Sequence, residues 1–325
     1  FIKRLPADTY NVQHRGGRGI TGMTTREDDA VENMFVCSSH DYIMLFSNLG
    51  RMYRIKAYEI PEGSRTAKGM NIINILPLMP DEKITIILPA SELDEEHFIT
   101  MVTKKGIIKR TRLSEFRNTR KSGIIAISID EDDELTFVKM TDGNDNLLIA
   151  TKKGMAIQFN ENGVRAMGRG ARGVKAITMR EDDEVVAMEV TDGNTRLLTI
   201  TETGYGRVSP ISDYRLQSRG GKGLLNYRVD KYGDVAGVLE VTDNDDIIMI
   251  ASNGILIRIF SGDISTFARP AKGVRVMRVG EGEKVLSVAV TEHNEDEPTE
   301  LPDAPEADAG VAEDNPPEEE APTEE

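Results

Sequence analysis

Short apolar runs separated by polar turns recur along most of the chain. Within these runs apolar and polar residues alternate, as in residues 185–190, and this period of two predicts β-strands. The Asp-Gly-Asn segments at residues 142–144 and 192–194 provide hairpin turns between such runs. Helical spacing is confined to one short stretch, residues 91–96. The pattern therefore predicts an all-β protein.

A glycine that follows a mostly polar pair recurs about every 50 residues and opens a strand that contains basic residues. This first series comprises Gly50, Gly106, Gly154, Gly204 and Gly254. Phe1-Ile2-Lys3-Arg4 matches the residues after Gly106. The chain therefore starts just after the glycine that would open its first repeat, and we expect it to be a piece of a longer protein.

A second glycine series runs in step with the first. Its members are Gly19, Gly69, Gly123, Gly173, Gly223 and Gly273. A third register lies ten positions after each first-series glycine and is apolar: Tyr10, Ile60, Phe116, Val164, Tyr214 and Ile264. Three registers that agree in six copies define six repeats of about 50 residues.

Each repeat supplies about four short strands, too few to be stable alone, so neighbouring repeats must stack. Six units closing into a disc predict a six-bladed β-pinwheel, a propeller-like ring with four-stranded blades and circular closure. The strands after Gly273 are expected to complete the blade that Phe1 begins. A linear stack and two three-repeat domains are the alternatives, and no linker-like segment interrupts the repeats. A flat ring and a spiral ring both fit.

Charge is divided unevenly between the repeats and the C-terminal end. The chain has 40 Lys and Arg against 55 Asp and Glu, a net charge of -15. Residues 292–325 contain 15 of these acids and no Lys or Arg, so residues 1–291 are neutral overall. The tail is rich in Pro and Ala and lacks apolar periodicity, which is typical of disorder. We predict a pinwheel domain over residues 1–291 and a disordered acidic tail over residues 292–325.

Composition also indicates the cellular compartment. Cys37 is the single cysteine, which excludes an internal disulfide and fits a reducing cytoplasm. No apolar run approaches the ~20 residues that a membrane helix needs. No secretory signal opens the chain. We expect a cytoplasmic, nucleoid-associated protein.

The second-series glycine ends a loop that contains two basic residues three positions apart in five of the six copies. A tight turn needs the glycine for its positive φ, but it does not need the cations. Six equivalent loops on a ring place these charges around one perimeter, which suits a polyanion such as DNA. The predicted DNA-binding residues of these loops are Arg15, Arg18, Arg65, Lys68, Arg120, Lys121, Arg169, Arg172, Arg219, Lys222, Arg269 and Lys272.

A second basic row lies on the strand after each first-series glycine. Gln158 interrupts the row, and a solvated strand face is the alternative interpretation. In the loops, the glycine pairs at residues 16–17 and 220–221 leave backbone amides open to phosphate. The predicted DNA-binding residues of the row are Lys3, Arg4, Arg54, Lys109, Arg110, Arg207 and Arg258.

The sequence indicates neither catalytic nor metal chemistry. Gly168–Gly173 and Gly17–Gly22 fit the spacing of a dinucleotide fingerprint, but they fall in the turn series and not in a βαβ unit. The four histidines lack metal-ligand spacing. The acidic clusters at residues 131–134, 181–184 and 243–246 recur with the repeat as solvated turns. No pair of nucleophile and base is present, so the chain is predicted to be non-catalytic, with no metal and no cofactor.

Gln13-His14-Arg15-Gly16-Gly17-Arg18-Gly19 resembles the seven-residue box Gln-Arg-Arg-Gly-Gly-Lys-Gly of the DNA gyrase A protein family. The resemblance extends over the whole chain, because that family has this box in the first blade of a six-bladed β-pinwheel followed by an acidic tail. His14 replaces an arginine and Arg18 a lysine. Residues 217–223 form a near copy of the box in the fifth repeat, so the dominant loop is left open, although position favours the first.

The resemblance implies a function for the whole chain. A C-terminal domain of this family wraps double-stranded DNA in a positive sense around its basic rim, so that the holoenzyme introduces negative supercoils. The implied partners are DNA and, within an A2B2 holoenzyme, the gyrase B protein together with the rest of the gyrase A protein. The isolated domain is expected to be a monomer. DNA cleavage, and ATP hydrolysis with Mg, belong to parts not present here.

Three other functions compete with this one. The C-terminal domain of topoisomerase IV has pinwheel blades with a degenerate or missing box, and the intact box and six repeats favour gyrase over it. A protein-binding propeller scaffold would have Trp-containing signatures, and this chain has no Trp. A propeller hydrolase would need carboxylates clustered in its central channel, whereas the acids here fall in turns.

Overall fold

The computed structural model describes residues 1–6, 35–64, 67–269 and 271–293. These residues form antiparallel strands, 3₁₀ turns and one short helix, α1 (Val229–Tyr232). The strands are β1 (Tyr42–Ser47), β2 (Arg51–Lys56), β3 (Ile84–Ala90), β4 (Phe98–Thr103), β5 (Ile107–Arg112), β6 (Ile124–Ile125), β7 (Leu135–Thr141), β8 (Asn146–Thr151), β9 (Met155–Asn160), β10 (Val174–Lys175), β11 (Val185–Thr191), β12 (Arg196–Thr201), β13 (Tyr205–Pro210), β14 (Leu224–Leu225), β15 (Val235–Val241), β16 (Asp245–Ala251), β17 (Leu256–Phe260), β18 (Val274–Arg275) and β19 (Val285–Glu292).

The described strands assemble into four four-stranded sheets and one three-stranded sheet. Each four-stranded sheet contains the last strand of a repeat, the central hairpin of that repeat and a two-residue strand from the next repeat. The strand orders are β3-β1-β2-β6, β7-β4-β5-β10, β11-β8-β9-β14 and β15-β12-β13-β18, and the three-stranded sheet is β19-β16-β17. The predicted all-β propeller with four-stranded antiparallel blades is confirmed.

The outermost strand of each four-stranded blade comes from the following repeat. Met52 of β2 pairs with Ile124 of β6, and Ala156 of β9 pairs with Leu224 of β14. These outer strands begin directly after a second-series glycine. This strand exchange joins each four-stranded blade to the next repeat by backbone hydrogen bonds. No four-stranded blade is therefore formed by a single repeat.

The exchange corrects the prediction for the first blade. Ile2 forms an isolated antiparallel bridge with Met70 of the second repeat, the same relation that joins the later blades. The strands after Gly273 do not pair with Phe1–Arg4: β18 pairs with β13, and β19 pairs with β16. The prediction that the strands after Gly273 complete the blade begun by Phe1 was wrong for the described residues, because these strands complete the sheets of the fifth and sixth repeats instead.

The first strand of the central hairpin, such as β1, is largely apolar on both faces because it separates two cores. In β1, Ile43 and Leu45 belong to one buried cluster. Met44 and Phe46 belong to the next cluster, which also contains side chains of the third repeat. Successive side chains of a strand point to opposite faces, so a strand buried on both sides needs a continuous apolar run.

The apolar register ten positions after each first-series glycine closes a 3₁₀ turn beyond the central hairpin. Its described members are all buried: Ile60, Phe116, Val164, Tyr214 and Ile264. Phe116 packs edge-on against Phe46 of the preceding blade, with ring centroids 6.3 Å apart. This register therefore anchors the turn in the core between neighbouring blades. Tyr10 lies outside the described residues.

The helix-like stretch at residues 91–96 is a loop. Asp94 Oδ1 accepts hydrogen bonds from the amides of Glu96 at 2.9 Å and His97 at 2.7 Å, and such a side-chain turn competes with a helix for the same amides. The described residues form a helix at α1 instead. Other repeats have an acidic turn at that position of the repeat.

The inner side of the ring is defined by the strands that end the repeats. β3 contacts β7, β7 contacts β11, β11 contacts β15 and β15 contacts β19. These strands form one edge of their sheets. The opposite edge, formed by the exchanged strands, therefore faces outward.

Candidate nucleic-acid interface

The basic loops lie along the outward edge because both of their ends are hydrogen-bonded there. In the fourth repeat, Ala166 forms a parallel bridge with Arg110 of the preceding blade. Val174, just after the loop, pairs with Ile108 of the same strand. The chain between these points crosses the outer edge of the preceding blade. The equivalent bridges in later repeats are Gln158↔Leu216 and Val208↔Thr266.

The second-series glycines adopt the left-handed conformation that the turn requires. The φ angle is 73° at Gly223 and 102° at Gly173. A Cβ at Gly223 would lie 2.5 Å from the carbonyl oxygen of Ala156. The predicted positive φ is thus confirmed at the described members of the series, Gly69, Gly123, Gly173, Gly223 and Gly273.

The first basic residue of the later loops is bound to backbone carbonyls. Arg219 Nε donates to Gly163 O at 2.7 Å, and its Nη1 donates to Lys175 O at 3.2 Å. Arg269 repeats the arrangement one blade on, with donation to the carbonyls of Asp213 and Leu225. These guanidinium groups join each loop to the preceding blade, so a structural requirement that the sequence did not reveal explains their presence.

The second basic residue of each loop is more available to solvent. Lys222 and Lys272 are exposed. Arg172 is exposed and paired with Asp130. Lys68 is half-buried, with its Nζ 3.7 Å from the centroid of the Phe1 ring. In the third loop both cations, Arg120 and Lys121, are exposed, and in the fourth loop Arg169 is half-buried.

In the described glycine pair, residues 220–221, one amide is less open than predicted. The amide of Gly220 donates to the carbonyl of Ala176 at 2.6 Å, and the carbonyl of Gly221 accepts from the amide of Thr178 at 2.8 Å. Because the Gly220 amide already has this acceptor, it is not free to bind phosphate.

Three residues of the second basic row are buried. Lys109 and Arg207 have no exposed surface, and Arg110 is 6% exposed. Lys109 Nζ donates to Ala126 O at 2.6 Å, and Arg207 donates to the carbonyl of Asn226. The prediction that these three residues line a DNA-binding surface was wrong, because both faces of the strands β5 and β13 are packed inside the protein, so that even the adjacent Lys109 and Arg110 are both buried.

Burial also changes the ionisation of these cations. Burial, with a smaller contribution from the nearby charge of Arg169, lowers the pKa of Lys109 to about 8. Burial likewise lowers the pKa of Arg207. A guanidinium with so high an ordinary pKa stays protonated at neutral pH, and its charge lies over the Tyr227 ring, 4.9 Å from the centroid.

The remaining residues of the row are partly exposed but engaged with protein groups. Lys3 Nζ donates to Ala67 O at 2.8 Å, and Arg54 Nη1 donates to Phe116 O at 3.0 Å. The ion pairs are Arg4 with Glu62 at 3.1 Å and Arg258 with Asp246 at 2.8 Å. The second row therefore joins blades and turns.

The structure adds exposed cations that the sequence analysis did not identify. Arg165 and Arg215 are exposed and precede their loops by four residues, and Lys175 and Arg275 are exposed on the outer strands β10 and β18. Each pair recurs at one position of the repeat, eleven residues after a first-series glycine or two after a second-series glycine. That recurrence was the signal that could have identified them.

Two parts of the predicted site lie outside the described residues. These are the box loop, with Gln13, His14, Arg15, Gly16, Gly17, Arg18 and Gly19, and Arg65 of the second loop. The near copy of the box in the fifth repeat is described. Of its cations, Arg219 is committed to carbonyls and Lys222 is exposed.

Among the described residues, one group of acids is close enough to hold a metal ion: Asp142, Asp145 and Glu161. Glu161 Oε1 already accepts from the amides of Gly143 at 2.7 Å and Asp145 at 2.9 Å, and its Oε2 lies 3.1 Å from Arg110 Nη1. The buried carboxylate is neutralised by a cation and bonded by turn amides. These contacts show that the Glu161 carboxylate stabilises the turn at residues 142–145.

The six repeats correspond one to one with six matched segments of a known family. The family described as "DNA gyrase C-terminal domain, beta-propeller" matches six successive segments, residues 1–38, 41–91, 97–142, 145–192, 195–242 and 245–292. The chain belongs to this family. Each matched segment contains the second-series glycine of one predicted repeat, so the resemblance of the chain to gyrase C-terminal domains is confirmed.

Individual gyrase relatives agree with the family assignment. The DNA gyrase A protein of Clostridium acetobutylicum is 52% identical over 307 residues, which is 94% of this chain and 37% of that protein. The chain thus spans little more than a third of this gyrase relative. Among the described residues, no helix is long and apolar enough to cross a membrane.

Solved structures of gyrase and topoisomerase IV share the fold. A DNA gyrase A C-terminal domain has a TM-score of 0.69 at 28% identity and covers 89% of this chain and 96% of its own. A topoisomerase IV C-terminal domain has a TM-score of 0.74 at 26% identity and covers 78% and 80%. Backbone shape therefore does not separate the two types, and the family match and the gyrase relative carry the assignment.

Proposed function

We propose that this chain binds double-stranded DNA without sequence preference and wraps it in a positive sense around its outer rim. The observation that supports this most directly is the placement of the basic loops, which cross the outward edge of successive blades and present Lys121, Arg172, Lys222 and Lys272 to solvent. Charges repeated along a curved edge match the evenly spaced phosphates of a bent duplex. Phosphate contacts carry no base information.

The wrapped domain would serve as part of a gyrase. In this proposal the rest of the gyrase A protein cleaves DNA, the gyrase B protein hydrolyses ATP with Mg, and the complex acts in the bacterial cytoplasm. The chain itself contributes no catalytic group and no cofactor. Positive wrapping selects the DNA segment to be passed, so that the enzyme introduces negative supercoils. The box loop, residues 13–19, holds one end of the wrapped DNA.

The proposal is tested by the topology of the bound DNA. The 325-residue chain is bound to a nicked plasmid, the nick is sealed with ligase, and the change in linking number is read from a gel. The expected result is a positive shift. It should fall strongly when residues 13–19 are replaced by alanine, and in Arg15→Ala, Arg18→Ala, which keeps the box glycines.

Two outcomes would contradict wrapping. Tight binding with no linking-number shift would indicate a DNA-binding disc of the topoisomerase IV type, the second candidate favoured by the shape similarity reported above. A lack of binding at low salt would favour a protein-binding scaffold instead.

A further inference from the structure

A cationic cavity lies beside the rim between α1 and the loop of the sixth repeat. Its volume is about 380 Å³, and its charged lining residues are Arg228, Lys231, Arg269 and Lys272. Tyr232 contributes an aromatic wall, and none of the described residues that line the cavity is acidic. Four cations around one open cavity produce a local positive potential in a domain that is neutral overall.

The cavity coincides with a change in charge of the fifth repeat relative to most other repeats. Lys231 lies eight residues after its second-series glycine, a position that is acidic in four other repeats: Glu27, Glu131, Glu181 and Glu281. Arg228 occupies the position of Ser128 and Thr178, and the sixth repeat also has an arginine there, Arg278. Compared with the third and fourth repeats, the fifth repeat therefore has a positive charge in place of a negative one at position 231, and a guanidinium in place of a hydroxyl at position 228.

The small side chains at these positions have a different role in neighbouring repeats. Ser128 Oγ donates to Gly170 O at 2.9 Å, and Thr178 Oγ1 donates to Gly220 O at 2.7 Å. These hydroxyls close the space between the turn and the next loop. Arg228 in the fifth repeat is exposed and lines the cavity.

Tyrosines hold the Lys272 ammonium in place at the cavity. Its Nζ lies 4.2 Å from the centroid of the Tyr205 ring and 5.3 Å from that of Tyr232. The Tyr227 hydroxyl donates to the backbone carbonyl of Lys272. Arg275 Nη2 bonds to the Tyr205 hydroxyl at 2.8 Å. A cation held over aromatic rings loses less conformational entropy when it binds an anion than a freely rotating lysine does.

We infer that this cavity is a phosphate-binding pocket in which Arg228, Lys231 and Lys272 surround a phosphate group at the junction of the fifth and sixth repeats. The inference rests on the proposed function in one respect, because the phosphate it assigns first is one of the DNA backbone. Free polyphosphate offers the same chemistry. Two acids lie near the site in sequence or by contact: Asp213 accepts a hydrogen bond from the amide of Arg269 at 2.9 Å, and Asp230 is exposed next to Lys231; neither is among the lining residues.

The pocket makes the rim unequal around the ring. In the other repeats with an acid at this position, a phosphate would meet a like charge, which disfavours close approach. Duplex DNA on the rim should therefore be held more strongly between the fifth and sixth repeats than at the junctions that have an acid at this position.

A charge reversal with a matched control tests the pocket. Lys231→Glu introduces the residue that four other repeats have at this position, and Lys83→Glu makes the same charge change at an exposed lysine far from the loop in sequence. Affinity for a duplex of about 40 bp should fall about tenfold in Lys231→Glu, with a salt slope smaller by about 1, because one phosphate contact is lost. Lys83→Glu should change affinity less than about twofold, and Lys231→Arg should restore binding. Equal losses in both reversals would overturn the pocket.

A second measurement separates the two sources of phosphate and does not depend on wrapping. The aromatic NMR signals of Tyr205 and Tyr232 are followed in the full chain as tripolyphosphate is added. They should shift in the unmodified chain and in Lys83→Glu, but not in Lys231→Glu; unmoved signals in the unmodified chain would refute the pocket.

Duplex DNA is then added in the same way to identify the source of the phosphate. If duplex DNA shifts the same signals, the ligand is the DNA backbone. If DNA binds elsewhere without shifting them, it is free polyphosphate. Shifts with tripolyphosphate but no binding of duplex would refute the proposed function and leave the pocket standing.

Discussion

At the scale of single residues, the same residue type has opposite roles according to its position in the repeat. Lysine at position 222 is exposed on the rim, whereas lysine at position 109 is fully buried between blades. The buried ammonium donates to the carbonyl of Ala126. A buried cation without a carboxylate partner is costly, and the lowered pKa of Lys109 expresses that cost.

Lys109 should make stability depend on pH in the alkaline range. Its pKa is about 8 in the folded chain, against an ordinary lysine pKa of 10.5. Between these values the unfolded chain binds a proton that the folded chain does not, so the free energy of unfolding rises with pH. Over the whole interval the gain approaches roughly 3 kcal/mol, at about 1.4 kcal/mol per pKa unit. Denaturant unfolding at about pH 7.5 and about pH 9.5 would measure much of this rise in the free energy of unfolding.

Lys109→Met is the control for that effect. It removes the titrating group, so the pH-dependent gain should be smaller in the variant by the contribution of this one lysine. Subtracting the two curves cancels the other lysines and the tyrosines that titrate nearby. Parallel curves for the two proteins would show that Lys109 ionises normally.

Gly223 is predicted to tolerate no side chain. Its φ is 73°, and a methyl group would lie 2.5 Å from the Ala156 carbonyl oxygen. Gly223→Ala should lower the free energy of unfolding by about 1–3 kcal/mol from backbone strain alone. Gly168→Ala is the matched change, since a Cβ there meets no atom within 4 Å. Similar unfolding free energies for the two variants would argue against the turn geometry.

At the scale of elements, the loop and the acidic turn each join neighbouring blades. Glu184, in a turn predicted to be solvated, lies 3.1 Å from Lys104 of one blade and 3.1 Å from Lys152 of the next. Glu202 continues the series with Lys152 at 3.7 Å and Lys284 at 2.6 Å. A single partly exposed ion pair contributes little to stability, but these pairs link successive repeats to one another.

The two cations of the fifth loop should separate into a structural and a binding role. Arg219→Ala removes two hydrogen bonds to carbonyls of the preceding blade and should destabilise the chain by about 1–3 kcal/mol. Lys222→Ala, at an exposed position, should change stability by less than about 0.5 kcal/mol while weakening DNA binding. Thermal unfolding and fluorescence anisotropy with duplex DNA would measure both. An unstable Lys222→Ala or a fully stable Arg219→Ala would contradict the division.

At the scale of the whole molecule, DNA binding should follow the total charge of the rim. One or two phosphates neutralised per blade gives roughly 6–12 contacts, and a log–log slope of affinity against salt of about -5 to -11. Duplexes of unrelated sequence but equal length should give the same slope. Anisotropy titrations between low and physiological salt would measure it. A slope near zero, or affinities that vary strongly with sequence, would contradict rim binding by phosphate contact.

The sequence by itself determined the repeat, the strand content, the positive-φ turns and the family. These are local or periodic properties: the alternation of apolar residues, a glycine where φ must be positive, and an apolar anchor ten residues after the turn all leave a direct mark on the chain. The buried anchors, such as Phe116 and Tyr214, were predicted in this way.

Only the tertiary structure decided which cations face solvent and how the blades are joined. The strand exchange depends on pairing between residues about seventy positions apart, such as Met52 and Ile124, and no local pattern specifies such a pair. A basic residue has the same one-letter code whether it bonds a carbonyl of the neighbouring repeat, as Arg219 does, or extends into water, as Lys222 does. The difference arises from the distance to the neighbouring blade, which exists only once the repeats have stacked.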